Sequence, residues 1–162
     1  MFPVSGVQIH LALNHLPVFA LLFATVALAF ALATRRRDAR TLGLGLVCLG
    51  AVAILPTTWS GESAEEIVEH RRGVGESLTE RHEESAETTQ IVTLVAAALA
   101  LLALGAQRLR RTHVAGAFAV LTLATSLVAT AMILRVAHLG GAIRHDEIRT
   151  GSVAPHDDHD RS

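Results

Sequence analysis

Eight of the nine histidines and fourteen of the fifteen carboxylates collect at one end of the chain's apolar segments when those segments are laid alternately up and down across a bilayer. His10, His15, His70, His82, His138 and His145 share that end with Glu62 through Glu87, and the tail histidines His156 and His159 join them. Only His113 and Asp38 lie opposite. Imidazole and carboxylate are the side chains that ligate metals and move protons. Heights along each segment can be counted from the arginine-rich end. His10 lies 24 residues before Thr34, His82 lies 24 before Ala106, and His138 lies 24 after Val114. At the rise of an α-helix, all three reach a level about 36 Å from that end. The same count from Thr41 reaches Glu65, next to Glu66.

Three imidazoles and a carboxylate at one height suit Zn, Cu, Ni or non-haem Fe, so His10, His82, His138, Glu65 and Glu66 are the candidate metal ligands. The plainer alternative is that these histidines sit solvated among lipid headgroups and bind nothing. Interfaces ordinarily favour Trp and Tyr, yet this chain has one Trp and no Tyr. His15 lies about one and a half turns deeper, and ionisable groups at such depth are expensive. Asn14 and the carbonyl freed by Pro17 offer it a purely structural role. A ligand or proton-handling role is the other reading. Haem b held between helices is a further option, with His15, His82 and His138 as candidate cofactor-binding residues. Arg135 and Glu87 fall about 3 Å apart in height on neighbouring segments, which predicts a structural ion pair inside the bundle.

The elements that must carry these groups are apolar runs at about 9–33, 42–58, 90–106 and 114–137, each near the ~20 residues that a spanning helix needs. A soluble bundle would show polar residues at every third or fourth position. Between Ile91 and Ala106 the only polar side chain is Thr93. The expected fold is therefore all-α, an integral membrane up-down-up-down four-helix bundle within residues 1–150, with a helical outer segment over 61–89 and a disordered tail over 151–162. Glycines and alanines on the second and third spans let the helices approach closely. Ser60 is placed to cap a separate polar helix from Gly61, a second should run from about Glu76 straight into the third span, and Gly140 and Gly141 suit the end of the fourth.

All fourteen basic residues are arginine. Arg35, Arg36, Arg37 and Arg40 follow the first span; Arg108, Arg110 and Arg111 follow the third. Short basic loops stay in the cytoplasm, so the expected location is a bacterial inner membrane with multiple passes and both termini outside. Residues 1–33 lack the leading positive charge of a signal peptide and are expected to remain as the first helix. With Cys48 alone, an internal disulfide, CxxC redox chemistry and c-type haem attachment are excluded. No nucleophile motif, phosphate loop, HExxH zinc signature or basic nucleic-acid patch occurs. Beyond the lipid bilayer, the expected partners are redox or membrane proteins, and the oligomeric state stays open.

Four stretches at the histidine-bearing end, HLALNHLPV at 10–18, GESAEEIVE at 61–69, ERHEESAE at 80–87 and AHLGGAIRHDEI at 137–148, together resemble a group of uncharacterised bacterial four-helix membrane proteins. That group is similar to a larger domain-of-unknown-function family, some of whose members are fused to Rieske-type domains. The resemblance spans nearly the whole chain apart from the tail and implies no established activity. It makes His10, Asn14, His15, Glu62, Glu69, His82, Glu83, Gly140, Gly141, Arg144 and His145 the motif positions, and through the Rieske association it points toward redox work. The expected function is an outward-facing His/Glu site that binds a transition metal (Zn, Cu or Fe) or haem iron, in electron transfer or metal handling. The alternative is a non-catalytic membrane subunit that docks a partner.

Overall fold

The computed structural model describes residues 14–68 and 76–144, with side chains described over 14–59 and 80–141. These residues form four helices and no strand: α1 (His15–Thr34), α2 (Arg37–Val68), α3 (Glu76–Arg108) and α4 (Thr112–Arg144). Each contains a stretch long and apolar enough to cross a membrane, and the chain is an all-α multi-pass membrane protein. α1 pairs with α2 and α3 with α4 as antiparallel hairpins, and the two hairpins meet along α2–α3 and α1–α4.

Both hairpins turn through the same local geometry. Arg35 and Arg110 each take a left-handed conformation with φ of 57°. The residue after each donates its backbone N–H to a carbonyl five positions back, Arg36 to Ala31 at 3.1 Å and Arg111 to Ala106 at 2.9 Å. This closes off carbonyls that a helix end leaves open. At the same end Gln107 ties the hairpins together. Its carbonyl accepts from Arg37 Nη2 at 3.0 Å, its Oε1 accepts from Arg40 Nε at 2.9 Å, and its Nε2 donates to Thr41 Oγ1 at 2.6 Å.

The interior is sorted by size. Buried apolar side chains are mostly alanine, with Leu21, Leu28, Leu44 and Val47 among the larger ones, whereas Phe19, Phe23, Phe30, Leu101 and Leu134 face outward. Lipid is as apolar as leucine, so what favours an inward position here is close packing of small residues. Gly43 packs on Leu28 and Gly50 on Leu21, which brings α1 against α2. Gly45, on the outer side of α2, has open space around it.

Several local expectations change. α2 does not stop at Ser60; it runs 32 residues to Val68, about 48 Å, longer than the ~30 Å hydrocarbon core. It also continues past Pro56, where the Thr57 and Thr58 hydroxyls donate to the carbonyls of Ala53 and Ile54 at 2.9 and 3.1 Å. Pro17 is the third residue of the described α1, and Leu13, whose carbonyl it would free, lies outside the described residues. Gly140 and Gly141 do not end α4, which continues to Arg144. α3 does run unbroken from Glu76 into its apolar stretch. The outer segment at 69–75 and the tail lie outside the described residues.

One hydrogen bond fixes how α1 meets α4. Thr25 Oγ1 and Thr130 Oγ1 lie 3.1 Å apart, both buried. Replacing either by valine strands the other hydroxyl, and the expected cost is ~0.6–1.7 kcal/mol, with the double replacement costing less than the two singles together. A double-mutant cycle on thermal unfolding in detergent checks this. Strict additivity would mean that the two hydroxyls do not meet.

Candidate functional site

The candidate site is built on the ends of α1, α3 and α4 opposite the arginines, and helix phase decides which side chains enter it. On α3 the inward stripe runs through Thr89, Thr93, Ala96, Ala100 and Ala103. Seven residues before Thr89, close to two turns, stands His82. It is half-buried with its Nδ1 buried, and its ring lies against α4: a Cβ added to Gly140 would come 3.3 Å from His82 Cε1 and 3.8 Å from Nδ1. Gly140 therefore leaves room for an imidazole. That role went unread in the sequence, where this glycine suited a helix end.

His138 and His15 take other directions. His138 continues the outward stripe of Leu127, Ala131 and Leu134 and is exposed. His15 tops the outward stripe of α1, its ring stacked on Phe19 at 6.5 Å, with Phe19 stacked on Phe23 at 6.2 Å. Both lie on faces that apolar side chains present to lipid. Equal height along the helices thus did not bring equal direction: His138 is exposed, whereas His82 is half-buried against Gly140. Among the described residues, no three His, Cys, Asp or Glu side chains gather closely enough to hold one ion.

Heights also change on α1. Thr25 lies nine residues before Thr34, while its partner Thr130 lies sixteen after Val114, so α1 and α4 meet seven residues out of the level that counting assigns. Asn14 is eleven residues from Thr25 toward the histidine end, and Gly141 is eleven from Thr130 in the same direction. Continued outward, this register brings Asn14 to the height of Gly140 and His82. Asn14 turns inward where His15 turns out. Its Oδ1 is buried and has no hydrogen-bond partner among the described residues. A buried amide oxygen in that state calls for a donor or a cation.

Arg135 and Glu87 are both exposed and stand on the outside of the bundle, and no ion pair joins them among the described residues. Glu87 is two residues from inward Thr89 and Arg135 two from inward Ile133, so each is turned about 200° from its buried stripe. A long arginine near a helix end can reach the headgroups with its charge, which removes the need for a partner. Glu83 is exposed as well. Glu62, Glu65 and Glu66 lie on the far part of α2 and Arg144 at the end of α4, beyond the described side chains; His10, Glu69, His70 and His145 lie outside the described residues.

No family model, curated protein or solved structure matches this chain.

Proposed function

We propose that this is a bacterial inner-membrane protein that holds a transition-metal ion or haem iron at its histidine-bearing end, with His82 as the anchoring ligand, in electron transfer or metal handling at that surface. The observation that carries the reading is the inward His82 ring seated against Gly140; counting from the Thr25–Thr130 contact puts at about that height the buried Asn14 oxygen, which has no partner among the described residues. An imidazole suits borderline metals and haem iron, and an amide oxygen can ligate a metal or accept a hydrogen bond from its bound water. The metal supplies the redox or Lewis-acid chemistry; the chain supplies one fixed imidazole, one oriented oxygen and a small-residue wall. The resemblance of the four motifs to an uncharacterised group, itself similar to a family with some Rieske-fused members, points toward redox work. Both termini face outward on this reading, because the two tight turns and the helix ends beside them hold seven arginines and one aspartate.

A second reading, a membrane subunit that docks a partner, draws on His15, His138 and Trp59, all exposed near the same end. Metal analysis and visible absorption of the protein purified from its native membrane separate the two. A Soret band identifies haem, and about one Zn, Cu or Fe per chain identifies an ion site. Protein carrying neither supports the docking subunit instead.

A further inference from the structure

At the opposite end of the molecule, the groove between α1 and α2 has a feature that the histidine site does not use. It is lined by Phe23, Val26, Ala27, Phe30, Leu42 and Leu46, has a volume of about 440 Å³, and is almost wholly apolar. Its lower end, at Phe30 and Leu42, stands five residues from Arg35 and from Arg37, or about 7–8 Å along the helix axes. Arg37 and Arg40 are committed to Gln107. Arg35 and Arg36 are exposed, and their side chains make no hydrogen bond or ion pair among the described residues. An open apolar groove within the span, with two uncommitted arginines in the turn five and six residues beyond Phe30, has the layout of a lipid's acyl chain and anionic headgroup. Arginine recognises phosphate with paired N–H donors, and basic sites beside membrane helices select anionic lipids.

We propose that this groove is a binding site for one anionic phospholipid of the leaflet at the arginine end, with an acyl chain along Phe23–Phe30 and the phosphate on Arg35 and Arg36. The second hairpin serves as an internal control. Arg110 and Arg111 stand in an equivalent turn with the same φ at its first arginine, so general surface charge would treat the two turns alike.

Lipid retention by the full-length protein is read by native mass spectrometry and thermal unfolding, with phosphatidylglycerol against phosphatidylcholine. Wild type should retain phosphatidylglycerol and unfold at a higher temperature with it. The double variant Arg35→Asn/Arg36→Gln should hold it roughly 25-fold more weakly, at about fivefold per arginine near a lipid surface. Asparagine is chosen at position 35 because it tolerates positive φ, so this variant should fold normally in phosphatidylcholine. Ala27→Phe, which fills the groove without touching charge, should also lose retention, whereas Arg110→Gln/Arg111→Gln should keep it. Equal effects of the two arginine pairs would reduce the site to diffuse surface charge and overturn the proposal. So would equal retention of phosphatidylcholine, or the same thermal shift from inorganic phosphate alone.

Discussion

Replacing Gly43 by alanine should destabilise the bundle by ~1–3 kcal/mol, and by leucine more, while alanine at Gly45 two positions away should leave stability unchanged or raise it by up to ~1 kcal/mol. The difference comes from what each new Cβ meets. At Gly43 it would stand 2.8 Å from Leu28 Cγ and 3.0 Å from the Leu28 backbone nitrogen. A side chain can rotate away, but a helix backbone cannot, so α1 would have to withdraw from α2. At Gly45 no atom lies within 4 Å. Withdrawal would also disturb the cluster of Ala24, Leu28, Leu44, Val47 and Ala51 that α1 and α2 form against α3. Thermal unfolding of both variants in one detergent gives the comparison. Equal stability at the two positions would mean that the α1–α2 contact is not made as described.

The second large effect concerns the histidine end. His82→Ala should abolish metal or haem retention, a greater loss than the roughly 10–100-fold that outer-shell changes cost. Asn14→Leu should weaken it within that range, since it removes an oxygen that orients rather than anchors. Gly140→Leu should act on the site through His82, by displacing the ring that lies 3.3 Å from where its Cβ would be. His15→Ala and His138→Ala should have little effect, because both rings lie on lipid-facing stripes. Metal content per folded chain reads all five variants. A loss with His138→Ala equal to that with His82→Ala would return the site to the convergent three-histidine form expected from height alone.

The four spans were legible because charge is confined to their ends, and the helix from Glu76 because no turn signal interrupts it. Direction was not legible by hydropathy. Both faces of each span are apolar, so no amphipathic contrast marks the inward side. A different signal was present: Thr89, Thr93, Ala96, Ala100 and Ala103 form a small-residue stripe at helical spacing, and extending it back places His82 on the inner face. Counting from the turns succeeded within the α3–α4 hairpin, where His82 meets Gly140, two residues from the expected His138. It failed for α1, because residues in contact where two helices cross need not be equally far from their turns. Ser60 and Gly140 suited helix ends by residue type alone. The helices run through both, and at Gly140 the absent side chain is explained by the neighbouring ring.

X-ray absorption at the edge of the metal that co-purifies with the protein shows most directly whether a metal or haem iron binds through His82. The prediction is imidazole nitrogen at about 2.0–2.1 Å in the wild type, with that scattering reduced or the metal absent in His82→Ala. A wild-type protein free of metal and haem, or a spectrum unchanged by His82→Ala, would contradict it.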